Sequence, residues 1–462
     1  MKKLIFFGLF ASLLINGCRK IEMDGDDEGG NGGGNGDNTI LSGRISSDRT
    51  LKAGTVYKLR GIVYVVDGAT LTIEAGTRIE GERSSRGALV VTRGTKIIAE
   101  GTKEKPIVFT SDAATPTAGD WGGIVMLGRA TTNAAFNNNP GVGEIEGGVN
   151  NGEGLGLYGG ADDADNSGVL KYVRIEYAGY AFLPDKELNS LTLGGVGNGT
   201  VIDYVQVSHA LDDAFEWFGG TVNAKHLIAY KTLDDDLDTD NGFRGKVQFV
   251  IVLRDSTLAD KSKVESFESD NDANGSTLTP QTAAIFSNVT SIGPRAALTN
   301  IGSANYLAGA QIRRNSTISI FNSVFMGWPT GILIDASKGE PTDKNIPAKL
   351  LVQNTIIAGS AKSVDYSVSP TAPTGWAAAD ALNWFNTASY GNAILATNDE
   401  VKLAAAFNYS TPDVTPQAGS PALNGSNFTD AKLSSGFSAV NFRGAVGAAG
   451  TEDLYGDRKS VV

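Results

Sequence analysis

The sequence predicts an all-β protein, a right-handed parallel β-helix (a solenoid) with looped insertions. The first observation is a repeat: Leu211–Glu216 recurs 22 residues later as Leu233–Asp238, and the copies are followed by the turns Gly219–Gly220 and Asn241–Gly242. The second is composition, with 58 glycines, only 4 methionines and 19% charged residues. A period of about 20 to 25 residues with short apolar alternations between turns is typical of coils that stack on one another.

The first 17 residues have the features of a cleaved export signal. Lys2 and Lys3 supply a positive region, and Leu4–Ile15 is apolar but too short to span a bilayer. Leu14–Gly17 before Cys18 resembles the bacterial lipobox, in which the cysteine becomes the lipidated N-terminus. This is the only cysteine, so no intramolecular disulfide forms. We therefore predict lipidation at Cys18, against the alternative of a cysteine in the core.

Residues 18–38 predict a flexible tether, because they are acidic and glycine-rich and hold almost no apolar side chains. An acidic cluster shortly after a lipidated cysteine resembles the surface-export signal of Bacteroidota lipoproteins, with a merely solvated linker as the alternative. The resemblance implies a lipid-anchored protein of the outer membrane that faces the cell surface.

Residues 39–447 predict the β-helix domain. Leu71–Thr77 is echoed 25 residues later by Lys96–Thr102, and Leu170–Tyr177 has its analogue in Val201–Ser208. The polar stretch Thr131–Ser167 interrupts this pattern, and we expect it to loop out of one corner of the solenoid.

Three asparagines, Asn288, Asn322 and Asn354, each come two residues after a core-type residue in the C-terminal half. Their recurrence predicts an asparagine ladder at a turn, with side-chain amides bonded from coil to coil.

Four segments together resemble a family of Bacteroidota surface lipoproteins with a right-handed parallel β-helix: Gly61–Gly81, Lys96–Ser111, Gly119–Ala130 and Tyr172–Gly179. The resemblance implies a pectin-lyase-like solenoid that often accompanies TonB-dependent transporters, and it implies no established reaction. It extends from Ile40 to about Gly447. Residues 448–462 depart from it and are interpreted as an atypical tail, truncated or artefactual.

The two acidic runs predict a cation site. Equivalent positions in adjacent coils lie about 4.8 Å apart, and like carboxylates at that spacing are unfavourable unless a cation or an arginine lies between them. Calcium takes several hard oxygen ligands, and the candidate ligands are Asp212, Asp213, Glu216, Asp234, Asp235, Asp236, Asp238 and Asp240. We expect Asp212 to lie near Asp234, and Leu211 over Leu233 in the core.

The alternative is a solvated acidic corner that is neutralised by Lys225, Arg244 and Lys246. A second acidic group would extend the same face: Glu265, Glu268, Asp270 and Asp272.

Trp217 and Phe218 directly follow the first acidic run, where we expect a turn on the surface. Exposed aromatic rings beside carboxylates suit a sugar or glycopeptide, which stacks on the ring and hydrogen-bonds through its hydroxyls. We therefore predict both as ligand-binding residues for a glycan.

The charge of the chain argues against nucleic acid as a partner. Loss of Lys2 and Lys3 with the signal takes the formal charge from −12 to −14, and no basic stripe is present. Pectin-lyase-like solenoids include lyases and hydrolases, and hydrolases need paired carboxylates. The chain lacks a Gly-His-Gly motif, and its histidines are only His209 and His226.

We therefore predict no catalytic residue and no organic cofactor, with calcium as the candidate ion. The predicted function is a non-catalytic binding or accessory module for glycan or nutrient uptake with a TonB-dependent transporter. Two alternatives stay open: a polysaccharide lyase or glycoside hydrolase, and a structural surface-layer or adhesin-like component.

Overall fold

Each strand of a coil pairs in parallel with the equivalent strand one coil further along the chain. This pairing confirms the predicted parallel β-helix. The computed structural model describes residues 38–183, 186–300 and 302–449. The predicted signal peptide, Cys18, the tether up to residue 37 and the tail from residue 450 lie outside the described residues, so these predictions stay untested.

The strands of each coil lie on three faces, here named A, B and C in the order in which the chain visits them. Strands on face A alone are Arg49–Leu51, Thr70–Ile73, Lys96–Glu100, Ser319–Phe321 and Val352–Gln353. Strands that run from A onto B are Gly168–Glu176, Val201–Ser208, Asn223–Tyr230, Lys246–Leu253 and Ile285–Ile292. Strands on face B alone are Arg78–Gly81, Ile107–Ser111, Val324–Met326, Ile356–Ala358 and Ala393–Leu395.

Face C continues each coil before the chain returns to face A. Two early strands run from B onto C, Ile40–Ile45 and Val56–Val65. Strands on face C alone are Ala88–Val91, Gly123–Leu127, Leu191–Gly194, Phe215–Phe218, Leu237–Asp240, Val264–Glu265, Phe267–Ser269, Tyr306–Arg313, Thr330–Ala336 and Lys362–Val368.

Short antiparallel hairpins lie outside the coils: Ala135–Phe136 with Asn139–Pro140, Gly143–Glu144 with Leu157–Tyr158, Ala181–Leu183 with Lys186–Glu187, and Leu403–Ala405 with Asp413–Pro416. The described α-helix is Ala378–Phe385, and 3-10 turns lie at Arg83–Ser85, Thr342–Asn345, Ala388–Tyr390, Asn398–Val401, Pro421–Leu423 and Ala431–Leu433. Within the described part of the chain, no helix is long and apolar enough to cross a membrane.

The core is a set of columns in which one apolar residue per coil lies over the next. The clearest column runs along face A through Ile73, Ala99, Leu170, Ile202, Ala224, Val247, Phe286, Ile320 and Val352, all of them buried. Alternate residues of each strand point into this interior because the side-chain period of a strand is two.

The 22-residue register of the repeat is confirmed. Phe215 pairs with Leu237, and Glu216 pairs with Asp238. The placement of Leu211 over Leu233 in the core is wrong, since both leucines are only half-buried. They lie at the corner before face C, where the chain has not yet entered the strand that alternates inward and outward.

The corner between faces A and B is built from residues with left-handed backbone. Tyr172, Tyr204, His226, Phe249, Asn288, Asn322 and Asn354 occupy equivalent places in successive coils with φ between 50° and 62°. Asparagine tolerates this conformation better than most residues do. In the earlier coils, aromatic rings take the same place and stack face to face.

The predicted ladder of bonded asparagine amides is wrong in its partners. Asn322 donates through Nδ2 to Ser287 Oγ at 3.1 Å, and Asn288 donates to the Phe442 carbonyl at 3.0 Å. One coil-to-coil amide bond is present, from Gln248 to Asn288. The amides turn to the C-terminal segment because that segment packs directly over this corner.

Three segments cover parts of the solenoid. The insertion Thr131–Ser167 packs on the outside of face C instead of looping free of a corner, and it buries Ile145, Val149 and Tyr158 there. Residues 398–446 cover the outside of face B. The helix Ala378–Phe385 packs against the last strand of face C and buries its own apolar side in the core.

Candidate functional site

An acidic cleft opens on the outside of face C, beside the corner at which the chain arrives from face B. Glu216, Asp238 and Glu268 pair in register on three neighbouring strands and point outward. Carboxylates of the corner, of the insertion and of a hairpin complete the acidic lining: Glu146, Glu187, Asp212, Asp213, Asp234, Asp235 and Glu265. The repeat thus places these groups together as the sequence predicted for Asp212, Asp213, Glu216, Asp234, Asp235 and Asp238.

Two corner aspartates are fixed by backbone hydrogen bonds. Asp213 accepts through Oδ1 from the N–H of Asp235 at 2.8 Å, and Asp235 accepts in turn from the N–H of Glu265 at 2.6 Å. Each side chain therefore satisfies a buried donor of the next coil. This bond orients the carboxylates along the corner.

The carboxylate oxygens converge in three groups, and within each group they lie within 4.8 Å of one another. The groups are Asp212 with Asp213 and Asp234, Asp213 with Glu216 and Asp238, and Asp235 with Glu265 and Glu268. Ligand oxygens about 2.3 to 2.6 Å from a common calcium ion lie at most about 5 Å apart, so the groups fit its coordination shell.

Burial and mutual repulsion hold protons on this cleft. Burial first, and neighbouring carboxylates second, raise the pKa of Asp213 well above its ordinary range. The pKa of Asp234 rises to about 7, that of Glu265 to about 7 and that of Asp238 to about 6, in each case mainly through burial. A carboxylate without a counter-charge keeps its proton when it leaves water.

The counter-charges differ from the predicted ones. Arg313 contacts Glu268 and lies 3.0 Å from Asp270, and Arg314 lies 2.8 Å from Asp270. The predicted neutralisers are elsewhere, with Arg244 paired to Asp163 and with Lys225 and Lys246 bonded to serines of the C-terminal segment. The prediction is wrong because Lys225 and Lys246 lie in the face A part of their strands and Arg244 lies just before face A, so their side chains point away from face C.

Two predicted metal ligands lie outside the three groups. Asp236 points into the core, where its Oδ1 is 2.8 Å from Nη1 of Arg254 and both side chains are 0% exposed. Asp240 accepts from the N–H of Asn241 at the far end of its strand, and burial raises its pKa to about 8. The alternation of side chains separates Asp236 from Asp235, whereas Asp240 shares the outward face with Asp238 and lies one step further along that face.

The prediction for Trp217 and Phe218 is wrong, because they lie in the strand Phe215–Phe218 and not in a turn. Trp217 is 0% exposed and stacks 5.3 Å from the Phe243 ring in the core. Phe218 points outward, but Tyr158 of the insertion covers it at 6.0 Å. Neither ring is open to a sugar.

Three buried oxygens of the cleft have no hydrogen-bond partner among the described residues: Oδ1 of Asp238, Oδ1 of Asn189 and Oε1 of Glu265. The last two belong to residues that are each 1% exposed. Buried polar atoms are nearly always paired, so these three indicate an unfilled bonding requirement. The Asn189 amide also donates to Glu216, which orients its oxygen.

The sequence missed several residues of the cleft. Glu146, Glu187 and Asn189 come from the insertion and from the segment around a hairpin, which have no repeat partner. Gln311 and Arg313 lie on a strand two coils beyond the acidic repeat. Strand register alone could have placed Gln311 beside Glu268, whereas nothing in the sequence indicates the path of the insertion.

A family model described as a pectate-lyase like beta helix domain matches residues 43–399. No curated protein matches the sequence significantly.

Proposed function

The chain belongs to the pectate-lyase-like β-helix family, and from this premise we propose that it is a non-catalytic binding module whose acidic cleft takes up calcium. The proposal rests on one observation: three groups of carboxylates converge within 4.8 Å, and only Arg313 and Lys263 bring positive charge to their lining. The converging carboxylates repel one another when they are ionised, and a bound cation would attract all of them.

The donor set favours calcium over transition metals. The ligand atoms of the three groups are carboxylate oxygens, and no histidine lies among the lining residues. Hard oxygen ligands in large number suit calcium, which takes six to eight of them in a flexible shell. Zinc and copper prefer nitrogen or sulfur ligands.

The orphaned oxygens support the same ion. Oδ1 of Asn189 and Oε1 of Glu265 line the cleft without a hydrogen-bond donor in the described part of the molecule. A carbonyl-type oxygen and a carboxylate oxygen are both ordinary calcium ligands. Asn189 would add an oxygen beside Glu216, which its amide contacts, and Glu265 already belongs to the group with Asp235 and Glu268.

A glycan is the ligand class that we propose for the loaded cleft. Bound calcium supplies open coordination positions for hydroxyl and carboxylate oxygens of a sugar. Gln311 and Arg313 line the same cleft and add neutral and charged hydrogen-bond donors. Binding to sugars through a few directed polar groups needs no catalytic acid or base.

We also propose that Cys18 is lipidated and anchors the module on the outer membrane, where it serves a TonB-dependent transporter as an accessory. The lipobox-like residues before Cys18 and the acidic tether support this. Cys18→Ala should release the protein from the membrane fraction, while Ser12→Ala within the signal should not. Mass spectrometry that finds an unmodified mature Cys18 would reject the anchor.

Calcium binding is tested by titration calorimetry on the protein from residue 18 onward. We expect saturable heat with calcium, release of protons near pH about 6.5 because several carboxylates are still protonated there, and a higher melting temperature. The variant D213N/D235N keeps the Oδ1 acceptors of the corner and should lose this response. The matched control E104Q/D399N removes two exposed carboxylates elsewhere and should keep it.

Absence of calcium heat together with a melting temperature that a chelator leaves unchanged would reject the proposal. A response lost equally in both double variants would reduce it to non-specific screening of surface charge.

A polysaccharide lyase is the second candidate, and the position of Arg313 favours it. This guanidinium lines the cleft between Glu268 and Asp270, and burial lowers its pKa. A lyase requires a base beside the acidic sugar, and the basic residues of the lining are Lys263 and Arg313. If the protein forms unsaturated products from polygalacturonate in the presence of calcium, and the Arg313→Ala variant does not, the protein is an enzyme and not a binding module.

A further inference from the structure

A second charged site lies away from the acidic cleft, at the corner where face C returns to face A. Arg93 and Arg129 follow two neighbouring strands of face C that pair Val91 with Met126. The two arginines line one recess together with the returning end of the insertion, Gly159 to Asp162. Adjacent coils therefore hold two guanidinium groups at the same corner.

Both guanidinium groups are held in place by the backbone. Arg93 donates through Nη1 to the Gly159 carbonyl at 3.2 Å. Arg129 lies directly over Gly94, where a Cβ would come within 2.1 Å of its Nη2. Gly94 has φ +83°, a backbone conformation that favours glycine, and the guanidinium of Arg129 occupies the space that a side chain would otherwise take.

Neither arginine has an ion-pair partner in the described parts of the chain. Other arginines do: Arg60 pairs with Glu82, and Arg78 pairs with Glu80. The nearest carboxylate in the recess, that of Asp162, accepts instead from the N–H of Ala164 at 3.1 Å. Burial and the charge of Arg129 lower the pKa of the Arg93 guanidinium.

Two adjacent guanidinium groups that form no ion pair with any described residue are unexpected in a chain of formal charge −12. The arrangement mirrors the acidic cleft with the opposite sign. In both places the fold holds like charges together, which is unfavourable until an opposite charge arrives.

We propose that Arg93 and Arg129 bind a tetrahedral dianion, a phosphate or sulfate group, in this recess. Each guanidinium offers a planar fork that matches two oxygens of such a group. Two guanidinium charges neutralise a dianion, whereas a carboxylate balances only one of them. Gly160 and Ala161 line the same recess, and their N–H groups donate to no acceptor among the described residues; backbone N–H groups are donors that anion sites use.

The dianion has two possible sources, a free inorganic ion or an ester on a larger molecule such as a glycan. The first experiment titrates the protein, after removal of divalent cations, with sodium sulfate and then with phosphate at low ionic strength. We expect saturable binding that weakens roughly 10- to 100-fold in Arg93→Met and in Arg129→Met, because each loses charge-assisted hydrogen bonds. Arg129→Lys keeps the charge without the fork and should fall between.

The matched control is Arg78→Met, which removes one exposed arginine from another face and should leave binding unchanged. The cleft variant D213N/D235N should also bind sulfate normally, which separates this site from the calcium proposal. Equal binding by the wild type and both methionine variants, equal loss in the control, or no binding of either anion would overturn the proposal.

The second experiment compares dextran sulfate with unmodified dextran. Arginine-dependent binding of dextran sulfate assigns the site to an ester on a polymer. Binding of inorganic sulfate alone assigns it to the free ion. Dextran sulfate binding that persists in the methionine variants, without any response to inorganic sulfate, would count against the site.

Discussion

The two corners at either end of face B stack like residues in opposite ways. At the A–B corner, the Tyr172 and Tyr204 rings lie 4.3 Å apart, and Tyr204 lies 4.2 Å from the ring of His226. At the B–C corner, Asp213 and Asp235 occupy equivalent places in adjacent coils, and Asp212 lies in one group of carboxylates with Asp234. Stacked rings attract, whereas stacked carboxylates repel unless a proton or a cation intervenes.

The difference shows what repetition does in a solenoid. One residue per coil repeats the same pair interaction along the whole column. A column of aromatic rings therefore adds stability, whereas a column of carboxylates accumulates repulsion. The acidic corner is therefore the place where the fold can gain most from a ligand.

The largest loss of stability is expected when the buried ion pair between Asp236, a residue of the B–C corner, and Arg254 is broken. Arg254→Met would leave the Asp236 carboxylate buried without its guanidinium, 2.8 Å away in the wild type. Removal of one member of a buried pair costs about 3–5 kcal/mol. Urea unfolding should show this loss in the free energy of unfolding.

The double variant Arg254→Met with Asp236→Asn provides the control. It removes the stranded charge and should recover at least about 1 kcal/mol of the loss. A double variant no more stable than the single one would mean that Arg254 acts through packing and not through the charge of Asp236.

The A–B corner is tested by Phe249→Asn, which places there a residue that tolerates φ 62°. The substitution removes a buried ring that stacks on His226, with centroids 5.1 Å apart, and contacts the tilted ring of Phe442 at 6.4 Å. We expect a loss of about 2–4 kcal/mol, the same with calcium as with a chelator. A loss that calcium reverses would show that the two corners are coupled.

Stability of the calcium-free protein should fall as the pH rises from about 5 to about 8. The folded pKa values of Asp234 and Glu265 are about 7 and that of Asp240 is about 8, whereas the unfolded chain ionises near pH 4. Between these limits the folded state binds more protons, so the free energy of unfolding decreases with pH. Each pH unit over which one of these groups is protonated only in the folded state lowers the free energy of unfolding by about 1.4 kcal/mol.

Thermal melts across this range, with and without calcium, measure the effect. Calcium should flatten the dependence, because it replaces the protons, and D213N/D235N should reduce it. Stability that instead rises steadily to pH about 8 without calcium would show that the cleft carboxylates are already ionised at low cost.

The smallest effect is expected at the asparagine end of the A–B corner. Asn322→Gly keeps the left-handed backbone but loses the donors to Ser287 and Asn427, at 3.1 and 3.2 Å. A loss of about 1 kcal/mol should follow. Asn354→Gly is the matched control with the same φ of 52° and should cost less. Equal losses in the two would assign the effect to backbone freedom alone.

Much of the fold could be predicted from local pattern. The spacing of Phe215 and Leu237 is visible in the sequence because each coil repeats its own turn and strand, and it fixed the register. The inward or outward direction of Trp217 was not visible, since it depends on where the strand begins after the corner. An error of one residue there turns a core ring into a surface ring.

The candidate site was only partly predictable for the same reason. Asp212, Asp213 and Asp234 lie in one short repeat, so stacking alone brought them together. The side-chain direction of Asp236 could not be predicted, because it depends on where inward and outward side chains begin to alternate after the corner. In the structure Asp236 points inward to Arg254.

By itself, the sequence determined the coil period, the parallel stacking and the presence of an acidic column, because all three follow from short-range repetition. Only the tertiary structure decided which non-repeating segments cover each face. Glu146 reaches the cleft from the insertion, and Arg129 meets Arg93 across a coil boundary. Such contacts join residues far apart in the chain, and no local preference specifies them; the packing of the whole domain does.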